Sequence, residues 1–271
     1  MGRPAGRSAG NRNHRRGLAQ VVLRVAAPVV ALAVVLALWQ SRVFYSLFGL
    51  QQYTVPTPAT IASTLAGNWS SIWGNQQTTL LEAVAGYLLG SAVGFGMAVL
   101  VTATGIGRRL LPGVAGALNA VPIVATAPIA VLYLGYGGNS KIAIVAILTA
   151  AVMLLNAYKG LNSVDADHLN LMHSYASTRW QIIAKLRVPS ALPYVFTALK
   201  YNVTLALVGA IVAEFFGGYG GVGIEVIQAM SAFTMTVVWA AMLLVGVTGI
   251  VWYQVVTALE WIFARWYPSP R

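Results

Sequence analysis

Six stretches of this chain are apolar for long enough to cross a lipid bilayer, and nothing else in the sequence limits its fold as much. They run from about Val21 to Gln40, Leu80 to Ala103, Leu111 to Leu134, Ile142 to Tyr158, Ala191 to Ala213 and Val237 to Phe263. A hydrocarbon core about 30 Å thick needs roughly 20 helical residues per crossing. Lipid offers no partner to an open backbone, so each run is expected to be a helix. Strands of a membrane barrel would alternate apolar and polar residues, whereas these runs are continuously apolar. Charged residues make up only 8% of the chain, against about 25% in a typical soluble domain. The expected fold class is therefore an all-α integral membrane protein of six transmembrane helices.

Positive charge sets the orientation. With the N-terminus inside, the inner segments hold 13 of the lysines and arginines: Arg3, Arg7, Arg12, Arg15, Arg16, Arg108, Arg109, Lys159, Arg179, Lys185, Arg187, Arg265 and Arg271. The outer segments hold Arg42 and Lys141, and Arg24 and Lys200 fall within spans. That asymmetry predicts cytoplasmic N- and C-termini in a multi-pass protein of a cell membrane. The net charge of +11 then reflects topology and contact with anionic lipid, and no nucleic-acid partner is expected. The chain divides into a basic, disordered tail (1–18), a first span with its outer loop (19–77), a core (78–263) and a short inner tail (264–271). The first apolar run continues past the small residues Ala31-Leu32-Ala33 to Leu38 and Trp39, which suits a retained anchor better than a cleaved signal.

The residues for independent chemistry are sparse. There is no cysteine, which excludes disulfides and thiolate sites. The histidines are His14, His168 and His173, none within a predicted span. Asp165, Asp167 and His168 read as a helix start, with acids at its positive end, in preference to a metal site. No phosphate-binding loop of the GxxxxGK[ST] type occurs, so any ATP must be bound by a partner subunit. We expect no catalytic residues, no metal and no cofactor in this chain. Ionisable groups inside a membrane are functional candidates because their burial is costly. Glu82 and Glu214 fall near the outer ends of their spans. A proton-coupled carrier would use such a pair, but an interfacial position within a turn or so of the membrane edge is the preferred reading. Lys200 lies about 14 Å into the fifth run at 1.5 Å per residue, and either snorkels inward or faces a polar cavity.

The polar stretch from Lys159 to Pro193 stands out against this background. Leu169, Met172, Ala176, Trp180, Ile183 and Leu186 recur every three or four residues, as on one face of a helix. His173, Ser174, Ser177, Thr178, Gln181 and Lys185 make the other face. Such a helix lies along the membrane surface, which an ordinary interfacial helix also does. Its ending is more specific, because Pro189 and Pro193 are expected to stop it and re-aim the chain into the fifth span. A surface helix joined at a fixed angle to a span is a lever.

The block from His173 to Pro193 resembles the cytoplasmic EAA-type coupling loop of ABC importer permeases, the inner-membrane components of binding-protein-dependent transport systems. Three further blocks agree: Leu80 to Gly90 with the start of the permease core, Val121 to Ile142 with a proline-broken third span and its outer turn, and Val212 to Gly223 with a glycine-rich exit from span five. Asn170-Leu171-Met172 replaces the motif's Glu-Ala-Ala, and Ala176 stands where its glycine is usual. The similarity is greatest to permeases for nitrate, taurine, alkanesulfonates and thiamine-pyrimidine or riboflavin precursors. It implies the six-helix type I importer permease fold, with a coupling helix between spans four and five. It also implies a homodimer of permeases, two cytoplasmic ATP-binding subunits, and an extracytoplasmic substrate-binding protein that delivers the solute. Met172, Ser174, Tyr175, Ala176, Ser177, Thr178, Arg179, Trp180, Pro189 and Pro193 are the implied ATPase-coupling residues.

Within the spans, Gly86, Gly90 and Gly94 share one helix face, as close helix–helix packing requires. Pro122 and Pro128 are expected to break the third span and free carbonyls that need either neighbouring groups or a watery cavity. With Lys200 and Glu214 they are the pathway candidates. The alternative reading is an ATP-independent secondary carrier or channel.

Overall fold

The computed structural model of the chain describes residues 53–106 and 122–263 without interruption, residues 26–41 except 29, and the positions 43, 45, 49, 51, 109, 113, 116 and 117. The expected tails (1–18 and 264–271) and most of the first half of the third apolar run lie outside the described residues. All regular structure among the described residues is helical.

The chain forms two units, residues 1–64 and 65–271. In the first, α1 (Ala26–Gln40) is apolar; the Gln40 side chain accepts the Ala59 N–H at 3.1 Å, and the Tyr45 hydroxyl donates to the Val55 carbonyl. A short helix, α2 (Pro58–Gly67), runs across the boundary and opens on proline, whose missing N–H costs nothing in a first helical turn.

The second unit is built on four helices long and apolar enough to cross a membrane: α3 (Trp69–Thr104), α5 (Gly138–Leu161), α7 (Arg179–Glu214) and α9 (Met235–Phe263). Between them lie α4 (Ile123–Leu134), α6 (Ala166–Ser174) and α8 (Val222–Ser231). The helix α5 is the centre, packed most extensively on α3 and then on α7. Small residues make this possible. A methyl group on Gly86 would sit 2.5 Å from Val145 Cβ, and one on Gly90 would overlap the Thr149 hydroxyl and the Ala146 carbonyl. At the other end of the pair, Gly160 meets the α7 backbone at Ala191. One apolar cluster joins Ala83, Tyr87, Val145, Val203, Leu207 and Val256, and a second joins Ala98, Met153, Leu154, Leu161, Ala191 and Ala198. Buried polar groups cross-tie the same helices. The Asn202 amide donates to Ser91 Oγ (3.1 Å) and to the Thr149 carbonyl (3.0 Å), and the Gln76 amide donates to Thr248 Oγ1 (2.9 Å) on α9.

Three sequence expectations need correction. The surface helix is not continuous from Leu169 to Leu186. It stops at Ser174, turns at Tyr175–Ser177, and restarts where the Thr178 hydroxyl accepts the Gln181 N–H and the Gln181 side chain accepts the Thr178 N–H. That capping box fixes a new helix start, and its T-x-x-Q spacing outweighs the apolar period. The prolines do not end this helix either. Pro189 lies in the first turn of the segment Val188–Glu214 and Pro193 within it, preceded by a π turn at Ile183–Arg187. A proline ring clashes with the carbonyl four residues earlier; for Pro189 that carbonyl, of Lys185, lies in the wider turn, and the helix runs on through Pro193. Finally, Pro122 is the N-cap of α4 and Pro128 sits inside it without ending it.

Candidate functional site

Two polar regions lie at opposite ends of the second unit. At the Arg187 end, the turn after α6 is a Schellman motif: Ser177 N–H donates to the Met172 carbonyl (3.1 Å) and Ala176 N–H to the His173 carbonyl (2.9 Å). The residue between them must adopt a left-handed backbone, usually glycine's role, and here Ala176 does so at φ 52°. The left-handed turn thus forms with alanine where glycine is usual. Asp165 caps α6 through the Asp167 N–H, as a helix start requires, and no metal-holding cluster of three or more His, Asp or Glu exists among the described residues.

This turn carries the coupling candidates outward. Tyr175 is 75% exposed and Trp180 64%. Ser174, Ala176, Thr178 and Arg179 are also exposed, with Met172 and Ser177 half-buried. Pro189 and Pro193 stand apart from them, half-buried inside α7. Beneath the turn, Arg187 donates to the Leu161 carbonyl (3.0 Å) and to Asn162 Oδ1 (2.9 Å). It thereby ties the π turn to the last carbonyls of α5, where a cation complements the helix dipole.

At the Glu214 end, four elements converge on three buried charges. Lys141, in the first turn of α5, approaches Glu82 of α3 at 3.3 Å, with side chains only 2% and 9% exposed. Its ammonium also donates to the Tyr136 carbonyl at 3.4 Å. Lys141 is therefore not a loop cation, as its place in the sequence suggested. Glu214, 1% exposed, accepts the Thr79 hydroxyl (2.7 Å) and the Gly223 N–H (2.6 Å). Thr79 Oγ1 accepts the Val222 N–H (2.8 Å), and Asn75 Oδ1 accepts the Gly221 N–H (3.1 Å). The free N–H groups that open α8 are thus satisfied by side chains of α3 and α7. Gly221 holds φ 114°, and a methyl there would overlap the Glu214 carboxylate; this is the position that demands glycine. Burial pushes the carboxyl of Glu225 upward, partly offset by hydrogen bonds from Asn75 and Ser71. A cavity of about 270 Å³, lined by Thr78, Glu82, Tyr136, Lys141 and Tyr219, opens beside the ion pair.

Glu82 and Glu214, expected within a turn or so of the membrane edge, are both buried within the protein. The pathway candidates do not form one site. Lys200 pairs with the Glu260 carboxylate of α9, about 21 Å of helix away from Glu214 at 1.5 Å per residue. Pro122 and Pro128 lie exposed on α4. Sequence reasoning missed Asn75, Thr79 and the partners Lys141 and Glu260. The spacing of Asn75, Thr79 and Glu82 at three and four residues, along the stripe that continues as Gly86, Gly90 and Gly94, was the available signal.

The second unit is a bundle of helices long and apolar enough to cross a membrane, and comparison with known proteins supplies its class. Residues 86–266 match the family model described as binding-protein-dependent transport system inner membrane component. The chain belongs to this family and is a permease component of an ABC importer. It is 30% identical to the formylaminopyrimidine transport permease protein ThiX of Halalkalibacterium halodurans, over 80% of this chain and 87% of that protein. It is 27% identical to the riboflavin transport system permease protein RibX of Chloroflexus aurantiacus, over 89% and 90%. Among solved structures, a chain of the MetNI methionine ABC transporter in an inward-facing conformation aligns with a TM-score of 0.60 and 18% identity, covering 69% of this chain and 93% of that one. At that identity the likeness concerns the fold.

Proposed function

We propose that the chain forms the solute pathway of an ATP-driven importer and receives its power stroke through the turn between α6 and α7. The observation that carries this reading is the exposure of Tyr175 and Trp180 on a doubly capped turn. The same turn opens the 36-residue helix α7. Exposed aromatic residues on a rigid support suit a docking surface, and movement of a stiff helix start is carried to the rest of it. In this reading the Arg187 end faces the cytoplasm, with both termini, and the Glu214 end faces outward. Six spans are completed by α1 and by the segment around α4, in the type I permease arrangement. Two copies of the chain form the lipid-embedded pathway, two cytoplasmic subunits bind the ATP, and a substrate-binding protein delivers solute from outside. The solute is a small organic molecule, with a thiamine-pyrimidine or riboflavin precursor supported by the names of two relatives. Alkanesulfonates, taurine and nitrate are the competing substrates.

Co-purification with the candidate ATPase tests the coupling. Tyr175→Arg and Ala176→Glu place charge in the docking turn and leave every membrane-crossing segment intact. Both variants are expected to lose the ATPase while remaining monodisperse. Retention of the ATPase by both variants would overturn the docking turn, and a wild type that co-purifies with no ATPase while solute uptake into vesicles persists without ATP would instead support a secondary carrier.

A further inference from the structure

A cavity of about 300 Å³ lies at the Arg187 end, between the close of α3 and the α6–α7 turn. Thr102, Thr104, His173, Arg179, Ile182 and Arg187 are among its lining residues, and no carboxylate of the described residues lines it. Arg179 and Arg187 bring two permanent positive charges. Arg187 is held in place by bonds from Nη1 to the Leu161 carbonyl and to Asn162 Oδ1. The end of α3, capped at Gly105, contributes only about half a negative charge. The cavity therefore keeps a positive potential and presents forked N–H donors, which match the oxygens of a phosphate.

A second observation bears on where that phosphate comes from. Leu89, Val93, Met97 and Leu100 are exposed apolar residues of α3. Spacings of three and four put them on one helix face, and the next position of that face is Thr104, at the cavity. From Val93 to Thr104 is about 16 Å of helix at 1.5 Å per residue, close to half of a hydrocarbon core about 30 Å thick. An apolar lane one leaflet long thus ends at a basic cavity. We propose that the cavity binds the phosphate of an anionic phospholipid, whose acyl chains lie along this face of α3. Arg179, Arg187 and His173 donate to the phosphate oxygens. A free phosphate ion would meet the same donors and leave the apolar lane without a role. The bound lipid joins the end of α3 to the start of α7, so the charge of the membrane sets how firmly that start is held.

Native mass spectrometry of the full chain in detergent tests the site, with phosphatidylglycerol, phosphatidylcholine of the same acyl chains, and inorganic phosphate as probes. One phosphatidylglycerol per chain is expected, bound about tenfold or more tighter than phosphatidylcholine, whose choline cation opposes the arginines. Arg179→Gln and His173→Ala should each weaken it about tenfold, the worth of one hydrogen bond to a charged group. Lys185→Gln removes an exposed charge of the same end outside the cavity and should change binding by less than about twofold. Equal binding of the two lipids, or an equal loss in Lys185→Gln, would overturn the site. Displacement of the lipid by an equimolar amount of inorganic phosphate would overturn the lipid and leave a free anion in its place. No ATPase is present in this measurement, so its outcome is independent of the docking turn.

Discussion

Ala176 and Phe233 are the described non-glycine residues with positive φ, at 52° and 58°, and each sits at the same point of a helix-ending turn. After α8, Thr234 N–H reaches the Ala229 carbonyl (2.8 Å) and Phe233 N–H the Met230 carbonyl (3.1 Å), repeating the pattern around Ala176. A side chain in this conformation costs about 1 kcal/mol or more relative to glycine. Ala176→Gly should therefore raise the melting temperature of the purified chain, and a fall would show that the alanine methyl makes a contact worth more than the strain. The sequence marked Ala176 as a departure from a glycine position but said nothing of Phe233. Backbone strain is invisible when the residue that bears it has no reason of its own to be there. The charged partners were equally hard to read, because Lys141 and Glu82 are 59 residues apart and only the α3–α5 packing joins them.

At the scale of elements, the long apolar runs gave the four membrane-crossing helices of the second unit with ends wrong by up to a dozen residues. The errors share a cause. Hydropathy finds the part of a helix that lies in lipid, whereas α3 extends to Trp69 and α7 to Arg179 through polar turns set by caps and packing. The glycine stripe was legible in full, since a helix face free of side chains has few uses other than close approach. Gly90→Leu tests it. With the Thr149 hydroxyl and Ala146 backbone in the way, α3 and α5 must separate, at a cost of about 1–3 kcal/mol or more. The variant should purify poorly or melt lower, while Gly96→Leu, where nothing stands within 4 Å, should match the wild type.

For the whole molecule, the decisive question is which end meets the cytoplasm. The absence of cysteine makes single-cysteine labelling direct. Ser174→Cys at the Arg187 end and Tyr219→Cys at the Glu214 end are both at exposed positions. In intact cells a membrane-impermeant thiol reagent should label Tyr219→Cys alone, and Ser174→Cys only after the membrane is opened. The reverse pattern would invert the topology drawn from the positive charges.

The π turn at Ile183–Arg187 has a consequence for the angle at which the molecule presents its Arg187 end. One residue added to an α-helix turns everything beyond it by about 100° around the axis. The direction in which Trp180 points is thus indexed to Asn202 and Glu214 by the number of residues in that single wide turn. The turn that bears Tyr175 and Trp180 and the packed core around Asn202 can each keep their own helical phase, and the wide turn is the gearing that lets the two share one axis.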